Sequence, residues 1–215
     1  MIAGGPTTPG TSSTDVRRPA TPDALPPGAC SVKDRHAMVR EILIWPHPTL
    51  KKKATPVARV DDSTRALISD LFDSMYSADG VGLAAPQLGV LKNVIVLDTT
   101  PRQPDSKPIA MVNPKILELE GKLVYTEGCL SIPGEAEDVE RAAACTVEYL
   151  DPKGDPQTLR CEGLLAVAVQ HECDHLTGTV FVDRISMLKR ELIRKRMKKL
   201  KADRAAEKAE EAAAL

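Results

Sequence analysis

Patterned alternation of apolar and polar positions begins at residue 38. Residues 1–37 are rich in Pro, Thr, Ser, Gly and Ala and follow neither a period of 2 nor one of 3.6, which reads as a disordered leader. Met38 opens the first patterned stretch, Met38 to Trp45, and is a candidate start of translation. Asp61-Asp62-Ser63 offers N-cap chemistry. Leu67, Ile68, Leu71, Phe72, Met75 and Tyr76 then recur at the spacing of one helical face, predicting an amphipathic helix ended by Gly80-Val81-Gly82. Strands are predicted at 94–97, 110–112, 116–124, 146–150 and 157–161, the last two joined in a hairpin by the turn-forming run Asp151 to Pro156. The apolar run Leu164 to Val169 continues into Gln170-His171-Glu172-Cys173-Asp174-His175 and stops at Gly178, the pattern of a mostly buried helix. Thr179 to Val182 reads as one more strand. Leu188, Leu192, Ile193, Met197 and Leu200 define a C-terminal amphipathic helix, beyond which residues 205–215 are a charged Ala/Glu/Lys tail.

Composition narrows the class. With 215 residues, 42% hydrophobic and 27% charged, the chain can bury a core but not several, and 38–204 is a single-domain length. Aromatic residues make up only 3% and the formal charge is −1, so neither stacking platforms nor global basicity support DNA binding. No apolar run approaches the roughly 20 residues of a membrane-spanning helix, and the N-terminus lacks the basic and apolar regions of a secretory signal. Arg17, Arg18 and Arg35 amid Ser and Thr suggest a transit peptide, but three Asp in the leader weigh against it. Five cysteines without scaffold spacing point to a reducing cytoplasm. The near-neutral charge is also an average. Between Lys189 and Arg204 nine Lys/Arg face two Asp/Glu, a local +7 suited either to a solvated face or to docking on ribosomal RNA.

The candidate chemistry sits on the buried helix. His171 and His175 are four residues apart, so their imidazoles project from one face and can share a metal ion, while Glu172 lies about 100° round from His171 and can reach a water on that ion. A polar helix end and a general metalloprotease are the alternative readings of H-E-x-x-H. Catalytic sites of this kind take three protein ligands, so a third donor is needed. His36 lies in the leader and His47 in a Trp-Pro-His-Pro turn, whereas Cys129 follows a predicted strand and a glycine that permits close backbone approach. Cys30, Cys145, Cys161 and Cys173 read as buried apolar side chains or free thiols.

Three motifs together resemble the peptide deformylases: Gly80-Val81-Gly82-Leu83-Ala84-Ala85-Pro86-Gln87, Glu127-Gly128-Cys129-Leu130-Ser131, and Gln170-His171-Glu172-Cys173-Asp174-His175-Leu176. The similarity spans about residues 38–204. It implies a single compact α+β domain with antiparallel sheets around a central metal-binding helix. It also implies removal of formyl from N-formylmethionyl nascent chains in the cytoplasm, by attack of metal-bound hydroxide on the formyl carbonyl. Cys129, His171 and His175 would hold the ion, Fe2+ in the cell and Zn2+ or Ni2+ in isolated protein. Glu172 would shuttle the proton, and the Gln87 side chain and Leu130 backbone N–H would steady the oxyanion. Gly80, Val81 and Gly82 would pair with the peptide backbone, and Val81, Leu130, Val167 and Ala168, by motif position, would contact the methionine side chain or simply belong to the core. Arg141 and Asp174 form a candidate pair supporting the metal residues. Gly134 to Asp138 departs from the family, which commonly carries an Arg there, and this acidic stretch is expected to disfavour acidic peptides.

Overall fold

The computed structural model describes residues 38–101, 103, 104 and 106–213, so the leader, Cys30 and His36 lie outside the described residues. Helix α1 (Asp62–Ser77) starts where Asp61 accepts a hydrogen bond from Thr64 N–H at 2.9 Å, and Leu67, Ile68, Leu71 and Met75 turn inward. Its end differs from expectation. The left-handed position that closes the helix falls on Asp79 (φ 54°), with Asp79 N–H bonded to Tyr76 O and Gly80 N–H to Met75 O, so Gly80 to Gly82 follow the cap and do not form it. Gly82 instead begins β1 (Gly82–Ala84).

After a 3-10 turn over Ala85–Leu88 the chain forms β2 (Val94–Leu97), β3 (Ile109–Glu120), β4 (Leu123–Cys129), β5 (Ile132–Arg141), β6 (Ala144–Leu150) and β7 (Pro156–Glu162). Five strands make one antiparallel sheet in the order β1-β2-β3-β6-β7, and β4 pairs with β5 alone. The sheet is buried on both faces where it matters. Val94 and Val96 pack with Leu67, Leu71 and Met75 of α1, whereas Ile95 and Leu97 pack with Ala166, Ala168 and Val169 of α2 (Gly163–Leu176). Alternation across the pleat therefore explains four consecutive apolar residues in β2.

The predicted single strand over 116–124 is in fact two. Gly121 takes φ 65°, and the chain reverses there between β3 and β4. The whole of β5 was absent from the sequence expectation, because Pro133, Gly134 and four acidic residues contradict strand propensity. It forms as the partner of β4, with Thr126 donating to Asp138 at 2.6 Å. Thr179–Val182 is not a strand either. Val180, Phe181 and Val182 are buried, and Phe181–Asp183 is a 3-10 turn closed by Val180 N–H on the Asp183 carboxylate. Apolarity there marked burial, not extended backbone.

The hairpin of β6 and β7 is as expected, its turn organised by Asp151, which accepts from the N–H groups of Lys153 and Asp155. Helix α2 ends at Leu176, and just beyond it Gly178, with φ 77°, leaves no room for a side chain, because a Cβ there would lie 2.6 Å from Lys51 O. Helix α3 (Met187–Ala213) docks Ile193 and Met197 into a third apolar cluster with Trp45, Ile132, Val139 and Phe181. The helix runs through position 204 without a break. Among the described residues no helix is long and apolar enough to cross a membrane.

Candidate metal centre and peptide cleft

Helix α2 carries two of the three candidate donors, and the end of β4 carries the third. Cys129 Sγ lies 3.3 Å from His175 Nε2, and one donor atom from each of Cys129, His171 and His175 falls within 4.8 Å of the other two. The first local reason is the spacing of the histidines on α2. The second is a register shift between Gly128 and Cys129, which breaks the β4–β5 ladder as the thiol reaches the helix.

The electrostatics fit a cation. His171 donates from Nδ1 to Glu127 Oε2 at 2.9 Å, which leaves Nε2 for the centre. Burial opposes a charge on His171, yet hydrogen bonds with Cys129 and Glu127 hold its pKa well above the ordinary imidazole value. His175 is pushed well below that value by burial and by the positive charges of His171, Arg141 and Lys51, so it is a neutral lone-pair donor. A divalent ion would answer the negative groups that otherwise favour a proton on His171, and a thiolate with two imidazoles is a donor set for Fe2+, Zn2+ or Ni2+.

Around these donors lies a buried ionic network. Arg141 reaches Glu127 through Nε at 2.6 Å and through a second nitrogen at 2.8 Å, and also donates to Asp174 at 2.6 Å. Burial would raise the Glu127 pKa, but the hydrogen bonds from Arg141 and His171 bring it down to about 2. Arg184 holds the outer side of Asp174. The Arg141–Asp174 pair read from sequence is thus present, with Glu127 as its link to His171. Glu127 was visible only as a motif letter; its role depends on Arg141, 14 residues on in sequence, which the β4–β5 pairing brings back to it.

Glu172 is buried next to the donors, and its Oε2 has no hydrogen-bond partner among the described residues. Burial, aided by the negative charge of Glu127 and resisted by His171, lifts its pKa to about 7. A side chain at Gly82 would meet Glu172 Oε1 at 2.5 Å, and one at Gly80 would meet Leu130 Cδ1 at 2.6 Å. The two glycines therefore let the β1 segment pass close against the reactive groups.

Gln87 is fixed at both ends of its amide. Oε1 accepts from Ala84 N–H at 2.8 Å, and Nε2 donates to Ser131 Oγ at 3.1 Å and lies 3.6 Å from Cys129 Sγ. Ser131, fully buried, is a residue that sequence reasoning gave no role. The strap Leu43 to Trp45 ties both loops: Leu43 N–H bonds Gln87 O and Trp45 N–H bonds Ser131 O.

A cleft of about 850 Å³ opens over these groups. Gly80, Val81, Gly82, Gln87, Cys129, Leu130, Val167, Ala168, His171 and Glu172 all line it. His175 stands behind, almost fully buried. β1 is the outer strand of its sheet, and Asp98 N–H ties Val81 O toward β2. Val167 and Ala168 are both cleft wall and nearly buried, and Ala168 also packs into the core beneath. Cys145 and Cys161 sit opposite each other on β6 and β7, buried and away from the centre.

The profile of the family described as Polypeptide deformylase matches residues 39–191. A protein named peptide deformylase from Alkalilimnicola ehrlichii is 48% identical over 162 residues, covering 75% of this chain and 90% of that one. The crystal structure of a peptide deformylase from Legionella pneumophila superposes with a TM-score of 0.73 at 45% identity, covering 78% of this chain and 98% of that one. A peptide deformylase from Ehrlichia chaffeensis in complex with actinonin gives a TM-score of 0.71 at 36% identity, with 75% and 96% covered.

Proposed function

The chain belongs to the polypeptide deformylase family, and we propose that it removes the formyl group from N-formylmethionyl nascent polypeptides with an ion held by Cys129, His171 and His175. The observation that carries this reading is the convergence of those three donors, within 4.8 Å of one another, beside a buried glutamate at the base of a cleft. The ion supplies Lewis acidity and a water nucleophile at neutral pH.

The residues of the chain do the rest. Glu172, with a pKa near 7, is matched to accept a proton from the attacking water and return it to the leaving amine, and its unpartnered Oε2 is free to do so. The Gln87 amide and the Leu130 N–H receive the developing negative charge on the formyl oxygen. Both belong to loops held by the Leu43 to Trp45 strap, so little reorganisation is needed at that step. Gly80 to Gly82 present a backbone edge to an extended peptide, which suits recognition of many sequences. Val81, Leu130, Val167 and Ala168 supply the apolar surface for the methionine side chain.

We take Fe2+ as the working ion, with Zn2+ and Ni2+ accepted by the same donors. The catalytic body is 38–204, and nascent-chain processing implies a cytoplasmic location. Basic groups of α3 that are not used in ion pairs support contact with ribosomal RNA. Salt-sensitive co-sedimentation with ribosomes tests that contact; its loss when the exposed Lys195, Lys198 and Lys199 are replaced by Glu, with melting temperature and peptide turnover retained, is the expected result. Replacing Cys129, His171 or His175 with Ala tests the centre: each variant should lose both bound metal and formate release while staying folded.

A further inference from the structure

Among the described residues, helix α3 reaches the cleft at a single position. Ile193 and Met197 are buried and Leu200 is partly buried in the same cluster, a spacing of four and then three along one helical face. The next position on that face is 204. That position is exposed, and its residue, Arg204, lines the cleft. Two ion pairs pin the helix in this place: Lys189 to Glu137 at 2.6 Å and Arg196 to Glu135 at 2.5 Å.

Those pairs change the charge that a peptide meets. Read from sequence, Glu135 and Glu137 are free negative charges in a loop; in the fold they belong to β5, and α3 neutralises them. Among other charged residues lining the cleft, Arg40 is paired with Asp70, Glu127 with Arg141, Glu41 and Asp79 each have an interaction of their own, and Glu172 sits at the reaction centre. Arg204 has no ion-pair or hydrogen-bond partner among the described residues. Its guanidinium is a planar, permanently charged fork suited to a carboxylate.

We propose that Arg204 is a specificity-determining residue that favours formylated peptides carrying Asp or Glu downstream of the methionine over those carrying Lys. The assignment rests on the deformylase reading of the cleft. A solvent-accessible pair of this kind changes kcat/KM by roughly 2- to 5-fold and weakens with salt.

The test compares formyl-Met-Ala-Asp-amide with formyl-Met-Ala-Lys-amide, and the four-residue pair with Asp or Lys in the last position, amidated to remove the terminal carboxylate. The parent should show an Asp/Lys ratio of kcat/KM above one. Arg204→Ala should bring the ratio toward one and Arg204→Glu should invert it, both effects shrinking at high salt, whereas Lys198→Ala, which removes an α3 charge away from the cleft, should leave it as in the parent. Calorimetric binding of the unformylated peptides reads the same preference without turnover. Absence of formate from every peptide would therefore count against the function above, while equal Asp and Lys affinities, or a ratio identical in the parent, Arg204→Ala and Arg204→Glu, would overturn the role of Arg204.

Discussion

Glu127 accepts a hydrogen bond from His171 Nδ1 at 2.9 Å while Arg141 holds both of its carboxylate oxygens. This carboxylate sets which imidazole nitrogen faces the metal centre, and the arginine keeps the carboxylate ionised. Partners of this kind typically tune metal affinity by about 10–100-fold. Glu127→Gln is therefore expected to bind Fe2+ or Zn2+ more weakly by that factor, measured by competition with a chelator. Retention equal to the parent's would show that His171 needs no such orientation.

Gly82 lets β1 pass against Glu172, the proposed general base. Gly82→Ala places a methyl group 2.5 Å from Glu172 Oε1, so either the strand or the carboxylate must move. A displacement near 1 Å at a reacting group costs on the order of 100-fold in rate. The variant should lose turnover on that scale, in kcat more than in KM, with its melting temperature close to the parent's. Unchanged kcat would mean that Glu172 has slack the geometry denies.

The attachment of α3 separates apolar from ionic contributions. Ile193 is fully buried, and its truncation to Ala should cost about 2–5 kcal/mol. The exposed pairs Lys189–Glu137 and Arg196–Glu135 are worth about 0–1 kcal/mol each. Urea unfolding of Ile193→Ala beside a Glu135→Gln/Glu137→Gln variant should thus show the larger loss in the former. The reverse ranking would make the helix an electrostatic attachment.

Asp98 gives the fold a pH dependence away from the metal centre. Burial would raise its pKa, but hydrogen bonds from Ser106, Tyr76 and Thr100 N–H outweigh burial and keep it below the usual value. An acid whose pKa is depressed by folding stabilises the native state above its unfolded pKa and loses that contribution as pH falls through the folded one. Asp98→Asn should be less stable than the parent at pH 7, and the gap should close below about pH 4, the ordinary aspartate range. A gap independent of pH in denaturant titrations would contradict the assignment.

Much of this arrangement was legible in the chain because local pattern and tertiary role agree. The Val94 to Leu97 run is apolar throughout because its two faces meet α1 and α2, and the i, i+4 histidines on α2 needed only a third donor from the Glu127 to Ser131 motif. What was not legible depends on partners distant in sequence. β5 is a strand in spite of Pro133, Gly134 and its acids, because β4 and α3 supply the pairing and the countercharge. Asp79 took the left-handed position expected of a glycine, while Gly80 and Gly82 are small for what lies opposite them, Leu130 and Glu172. Arg204 reads as one more charge in a basic helix until the apolar stripe is followed past Leu200 to the cleft.

Formate release from formyl-Met-Ala-Ser, assayed anaerobically on protein loaded with Fe2+, tests the central claim most directly when Glu172→Ala is run beside it. Stoichiometric formate and free Met-Ala-Ser are expected from the parent, with loss of activity on chelation and recovery on adding Fe2+, and a loss of about 100-fold or more in Glu172→Ala at unchanged metal content. No formate from the intact, metal-loaded protein would contradict it.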